Sequence, residues 1–444
     1  MKTNIQVTKP IYTHEGALST NISDIEKLKR LTMACMLWED TFYVDGKTVT
    51  DQIIDVCSRL NAKKIIDLAI EIHEKCLLRH MPLLLIIQAC KRGGCNDIKD
   101  AIYRVCTRPD QMTELLSLWW KDGRKGLTSQ MKRGLAMAFA RFDEYQLAKY
   151  NKDAPVKLRD VLFLCHAKPK TKEQEAIWKR LINNTLATPE TWETKLSSGQ
   201  DKKESFQELL EKGKMGKLAI IRNLRNMFES GVSEELVTKE LLRQNRSILP
   251  FQYIAAAKEC PRWERLIDNA LMNQTCQEKD KIPGLTVVFV DVSGSMTSNI
   301  SSKSKMSCID AASGLAMILA ERCERMEIFS FSQTITFVPP RKGMALRDAI
   351  WTSQSNQGTY LGNALNVFER DRKKETKIDR LIVITDEQTH DQVPKMQDIP
   401  NCYILNVCCY QNGINNNGQW HRISGFSENS INYINEFENY SNNR

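Results

Sequence analysis

Residues 287–296 read Val-Val-Phe-Val-Asp-Val-Ser-Gly-Ser-Met, an apolar run that ends on a carboxylate and two hydroxyls. No other stretch constrains the fold as strongly. β-Branched and aromatic residues without a polar break predict a central parallel strand covered on both faces. Open α/β sheets bind ligands at the carboxyl ends of such strands. Asp291, Ser293 and Ser295 therefore stand where a site forms, offering hard oxygens and a single charge. That chemistry suits Mg²⁺, which keeps several waters and takes few protein carboxylates. The plainer alternative is an Asp/Ser turn that caps a helix.

Asp291-x-Ser293-x-Ser295 resembles the metal-ion-dependent adhesion site of von Willebrand factor A domains. The resemblance implies a threonine from a second loop and an aspartate after a later strand. Gln357-Gly358-Thr359-Tyr360-Leu361-Gly362 supplies Thr359, and Leu381-Ile382-Val383-Ile384-Thr385-Asp386 supplies Asp386. The surrounding pattern alternates in the expected way. Strand Leu285–Val290, helix Met306–Arg325, strands Met326–Phe331 and Thr334–Val338, helix Leu361–Phe368 and strands Arg380–Thr385 and Cys402–Val407 read as a doubly wound α/β fold. Its sheet is expected to be parallel with one short antiparallel edge. The Asn-rich end, Asn412–Arg444, has little apolar periodicity after Ile423 and is expected to pack loosely.

A chain of 444 residues exceeds one ordinary core, so two domains are expected: 1–280 and 281–444. The first reads as helices almost throughout, among them Ala62–Cys76, Ser129–Phe139, Leu158–Cys165 and Leu218–Phe228. Short helix pairs in succession predict an α-solenoid of the HEAT or armadillo kind, with Gln274–Lys281 as the linker to the second domain. The fourteen cysteines are scattered, many on apolar faces (Cys35, Cys57, Cys106, Cys323), as buried free thiols in a reducing cytosol would be. Neither an 18-residue apolar run nor an N-terminal signal occurs, so no membrane role and a cytoplasmic location are expected. Charge is uneven. Residues 1–280 carry 46 Lys and Arg against 37 Asp and Glu, whereas residues 281–444 carry 17 of each. Residues 121–180 alone carry 15 against 7, a focused field that fits a polyanionic partner.

Lys157-Leu158-Arg159-Asp160-Val161-Leu162-Phe163-Leu164-Cys165-His166-Ala167-Lys168-Pro169 resembles the signature segment of the Ro ribonucleoprotein family, whose helical module is called TROVE. Thr13-His14-Glu15-Gly16-Ala17, Leu127–Phe142 with Lys132-Arg133-Gly134-Leu135, and Leu218–Met227 agree with it. The resemblance implies a ring of HEAT-like helices closed by the von Willebrand factor A domain. It also implies a non-catalytic protein that binds small noncoding Y RNAs and the single-stranded 3′ ends of misfolded RNAs, in RNA quality control. Bacterial members resemble partners or tethers of exoribonucleases. A monomer is expected.

RNA binding without sequence preference needs cations along the phosphates and a few flat or polar groups for bases. Lys132, Arg133, Arg141, Lys149, Lys152, Lys157, Arg159, Lys168 and Lys170 supply charge. His166 either projects toward RNA or caps its helix. Where the family tends to be basic, four residues after Lys149, this chain has Asp153. Arg222 and Asn223, with Arg225 and Asn226, either line the ring or form inter-helix hydrogen bonds. A second reading is an adhesion adaptor that captures a partner carboxylate at the Asp291 site. A third, a metal-dependent nuclease, finds neither paired carboxylates nor a Gly-rich phosphate loop.

Overall fold

The helical part of this computed structural model comprises α1 (Asp24–Met33), α2 (Gly46–Arg59), α3 (Ala62–Glu74), α4 (His80–Arg92), α5 (Ile98–Val105), α6 (Pro109–Trp119), α7 (Ser129–Phe139), α8 (Glu144–Tyr150), α9 (Leu158–Cys165), α10 (Lys172–Ile182), α11 (Trp192–Leu196), α12 (Lys202–Glu211), α13 (Lys217–Glu229), α14 (Glu234–Arg243), α15 (Pro250–Glu259) and α16 (Glu264–Cys276). Next come β1 (Ile282–Asp291), α17 (Cys308–Arg322), β2 (Cys323–Phe331), β3 (Ile335–Val338), α18 (Gly343–Trp351), α19 (Leu361–Asp371), β4 (Arg380–Thr385), β5 (Asn401–Asn406), β6 (Trp420–Ser424) and α20 (Asn429–Asn442). The structure describes residues 14, 22–34, 45–189, 191–197, 199–243, 248–276, 281–300, 304–408, 410, 413–414, 419–425 and 429–442. Cys35 and most of the 13–17 segment lie outside them.

Two compact units emerge, Asp51–Glu240 and a second made of Met1–Thr50 with Leu241–Arg444. In the first, α3, α5, α7 and α9 pack in one row, and α4, α6 and α8 in another, with α3 against α4 joining the rows. This is the layered stacking that short amphipathic helices adopt when none can bury its apolar face alone. Local signals set the helix starts. Thr128 caps α7 through the Met131 N–H at 3.2 Å, and Asp143 caps α8 through the Gln146 N–H at 2.7 Å. Gly134 lets α5 and α7 approach closely, since a Cβ there would lie 2.8 Å from the Lys99 carbonyl oxygen.

In the second unit, the sheet order is β3-β2-β1-β4-β5-β6, parallel except for β3. The expected doubly wound sheet with one antiparallel edge is present, extended by β6, which the sequence reading did not include. Every residue of β1 from Leu285 to Asp291 is buried. Phe289 sits at its centre, stacked on Phe329 at 5.5 Å and edge-on to Phe368 at 5.3 Å. The last helices before the sheet belong to this unit, because α15 and α16 pack on α17, and α16 also on α18. The Asp268 carboxylate on α16 accepts the Met344 N–H at the start of α18 at 3.0 Å. Helix α16 runs through Cys276, so the first residues of the expected linker are helical.

The described residues of the C-terminal end are packed rather than loose. α20 buries Ile431 and Ile434 completely, because a three-residue spacing puts both on one helical face. Its Glu438 takes the Nε of the buried Arg380 at 2.9 Å and the Tyr403 hydroxyl at 3.1 Å. Arg380 also donates to the Pro283 carbonyl at 2.7 Å and the Thr286 hydroxyl at 2.9 Å. Truncating one partner of such a pair strands the other charge out of water. Arg380→Ala should cost about 3–5 kcal/mol in urea unfolding, and Arg380→Met with Glu438→Leu should recover most of it. A single variant as stable as the parent would contradict this account of the end.

Candidate functional site

Three loops converge beyond the carboxyl edge of the sheet. The first leaves β1 at Asp291, whose carboxyl is fully buried. One oxygen accepts the Ser293 N–H at 2.9 Å and the other the Thr385 hydroxyl at 2.6 Å. Ser293 and Ser295 bring their hydroxyl oxygens to 3.4 Å of each other. The second loop, before α19, is bound to the first. Gly294 donates to the Gln357 carbonyl at 2.7 Å, and the Asn356 amide donates to the Val292 carbonyl at 2.6 Å. The third follows β4 and clasps Thr359: the His390 N–H donates to the Thr359 carbonyl at 2.8 Å, and Tyr360 stacks on the His390 ring at 4.8 Å. Asp391 accepts the Gly362 and Asn363 N–H groups at 2.9 and 2.7 Å, capping α19. Gly362 is required there, because a Cβ would lie 2.1 Å from the Gln392 carbonyl oxygen.

All five expected positions thus belong to this one loop cluster. Asp291, Ser293, Thr359 and Asp386 are at most 3% exposed and Ser295 is 9% exposed, so the donors form a recessed group. No basic side chain among the described residues pairs with Asp291, and burial pushes its carboxyl up to about 6. The donor chemistry, two carboxylates and three hydroxyls, fits a hard divalent cation taking oxygen ligands and water. It does not fit zinc. Among the described residues no three His, Cys, Asp or Glu side chains gather as a metal group.

Beside this cluster is a charge arrangement that sequence reasoning missed. Glu387 follows Asp386 with a left-handed backbone, φ 60°, and is itself buried. Its carboxylate takes Arg30 of α1 at 2.6 Å, the Asn406 amide at 3.0 Å and Arg422 of β6 at 3.7 Å. The His14 N–H also donates to Gln388 at 2.9 Å. The N-terminal segment is therefore anchored to the loop that carries Asp386, through partners more than 350 positions apart in sequence that no local pattern links.

The basic candidates fall on the helical unit. Arg133, Lys152, Arg159, His166, Lys168 and Lys170 are exposed, and Lys132, Arg141, Lys149 and Lys157 are partly so. Helices α7 and α9, which bear or flank Lys132, Arg133, Lys157, Arg159 and His166, pack on each other. His166 ends α9 in a left-handed conformation, φ 54°, with its ring exposed. Lys157 is paired with Asp153 at 2.6 Å, so the acidic departure neutralises part of a neighbouring charge. Arg222 is exposed, but Asn223 is buried, its amide donating to the Ala219 carbonyl at 2.9 Å within α13. The expectation of Asn223 as an RNA contact is corrected: an asparagine on the buried helix face satisfies its own backbone. Aromatic partners accompany the cations. Arg141 lies 3.8 Å from the Tyr103 ring, Arg108 4.5 Å from Tyr150, Arg124 4.9 Å from Trp120 and Lys125 4.3 Å from Trp119.

Residues 179–282 match the TROVE domain model, and residues 286–398 match the model described as the Ro60 vWA domain. The chain belongs to the Ro family. Of the four segments that resemble that family, Leu218–Met227 lies inside the TROVE match. The fold is similar to that of the crystal structure of the Deinococcus radiodurans RO (RSR) protein, with a TM-score of 0.57 and 15% identity, covering 92% of this chain and 98% of that one. Telomerase protein component 1 of Rattus norvegicus is 34% identical over 86 residues, and that of Mus musculus 35% over 78. These stretches are 18% and 16% of this chain, which spans only 3% of the length of either relative. Among the described residues, no helix is long and apolar enough to cross a membrane.

The native protein holds the Asp291 proton up to about pH 6, whereas an ordinary aspartate releases it near 3.8. Metal-free protein should therefore lose stability as pH rises through that window, with the full penalty present above it. Asp291→Asn should flatten this slope. Urea unfolding in a chelator at about pH 4 and about pH 6.5 measures it, and identical slopes in both proteins would contradict the burial argument.

Proposed function

We propose that this protein is an RNA-binding scaffold of the Ro type. It takes small structured noncoding RNA and single-stranded RNA ends on its helical unit, and serves RNA quality control in the cytoplasm without catalysing a reaction. The observation that carries this reading is the set of accessible cations and cation–ring pairs along α5–α9. Exposed guanidinium and ammonium groups follow a phosphate backbone, while rings and guanidinium planes give bases a surface to stack on. The even charge balance of residues 281–444 leaves the polyanion to the helices. The logarithm of RNA affinity should fall with the logarithm of salt at a slope of about −0.7 for each phosphate neutralised on a single strand. Reversing Lys149, Lys168 and Lys170 to Glu together should weaken binding by roughly tenfold or more and flatten that slope. Fluorescence anisotropy with a labelled oligoribonucleotide measures both, and unchanged affinity would remove this face from the interface.

The Asp291 cluster favours a second role within the same protein. Asp291, Ser293, Ser295, Thr359 and Asp386 are proposed to hold Mg²⁺ or a similar cation, directly or through water. A cation held by few charges keeps a position open for a carboxylate from a protein partner, an exoribonuclease being the class implied by the family resemblance. Adding Mg²⁺ at about 100 times its Kd should raise stability by about 2.7 kcal/mol, read as a higher melting temperature. Asp386→Ala should abolish that gain. An equal Mg²⁺ response in the variant would locate the cation elsewhere.

A further inference from the structure

We propose that a cleft between the segment after α6 and helix α9 is a pocket for one unpaired nucleobase bearing an exocyclic amine. The proposal rests on the RNA-binding reading above and names what that surface would select. The cleft has a volume of about 410 Å³ and is lined by Trp120, Arg124, Lys125, Asp160 and Phe163, among others. Phe163 stands on α9 with 56% of its surface exposed, although its neighbours Leu162 and Val161 are buried. An uncovered phenyl ring in the middle of a helix contributes nothing to the core and costs solubility, whereas a base stacked on it would cover it. Trp120 is held in place because its ring N–H donates to the Lys125 carbonyl at 2.9 Å. The same backbone turn therefore fixes the tryptophan and carries Arg124 and Lys125, which are both exposed. A base entering the cleft meets rings, while its flanking phosphates reach two cations.

Asp160 decides which base. A carboxylate in a surface that binds phosphates is repulsive unless it faces a donor. One of its oxygens accepts the Lys157 N–H at 2.8 Å, closing the first turn of α9. No described hydrogen bond uses its other oxygen, which is available to accept from an exocyclic N–H₂, the group through which a carboxylate reads cytosine. Cytosine, adenine and guanine offer that amine. Uracil presents a carbonyl there, which a carboxylate repels. Cytosine and uracil are alike in size and stacking area, so the comparison isolates this one group.

The test measures affinities of the full chain for oligocytidylate and oligouridylate of equal length, with Trp fluorescence recording occupancy beside Trp120. The parent should bind oligocytidylate roughly tenfold more tightly. Asp160→Asn keeps an acceptor for the Lys157 N–H but presents an amide, and should erase or reverse the preference. Phe163→Ala, at an exposed position that does not support the core, should weaken oligocytidylate about tenfold, the loss expected for one stacked base. Salt-dependent binding by the parent with neither a base preference nor a Phe163→Ala effect would overturn the pocket and leave the RNA-binding reading standing. No binding of either oligomer by the parent would overturn both. Circular dichroism of the two variants separates loss of folding from loss of contact.

Discussion

A fully buried carboxyl, Asp291 at the end of the central strand β1, is the constraint on which the sheet half depends. Moving Asp291 out of solvent is unfavourable in its charged form, and its two hydrogen bonds offset only part of that cost. The loops around it divide what remains. Ser293 and Thr385 donate to the carboxyl, Gln357 and Asn356 bind the turn that follows, and the β4–β5 connection holds the threonine loop from the other side. A cation would supply the missing positive charge. The same place thus combines the least favourable burial with the strongest reason to bind a ligand.

The charge neighbouring it is handled differently. Glu387 is also buried, yet arginines of α1 and β6 offset its charge and the Asn406 amide at the end of β5 donates to it. Adjacent acids in the chain are therefore held differently: Glu387 by two arginines and an amide, and Asp386 by the Gln388 N–H at 3.0 Å. The left-handed backbone at Glu387 belongs to that separation, since it accompanies the turn between the two. Strain of this kind persists only where the surroundings determine it on several sides.

In the helical unit the argument runs from packing to surface. Short helices in two rows bury their apolar faces against neighbours and leave the basic residues outward, because a lysine or arginine head group stays in water. Some of that charge is spent locally, as Lys157 is on Asp153. Other cations stand beside rings, as Arg141 does beside the exposed Tyr103, and a cation over a ring is the combination from which stacking recognition of single strands is built.

Much of this was legible in the residues alone. The uninterrupted apolar run at β1, the alternation after it and the positions of Asp291, Ser293, Ser295, Thr359 and Asp386 follow from periodicity, strand ends and a family resemblance, all of them local patterns. Other features were not. Strand β6 is short and lies in a polar stretch, and α20 carries only a short apolar face, with Ile431, Ile434 and Phe437, among asparagines. Asn223 reads as a polar surface residue until α13 is placed with that face inward. Trp120 and Phe163 are 43 positions apart and line one cleft because α6 packs on α9. The sequence by itself determined the element types, the sheet's central strand and the five-oxygen motif, because these depend on neighbours a few residues away. Only the tertiary structure decided that α1 anchors the aspartate loop, which arginines pair with Glu387 and which ring is left uncovered, because those are contacts between segments far apart in the chain.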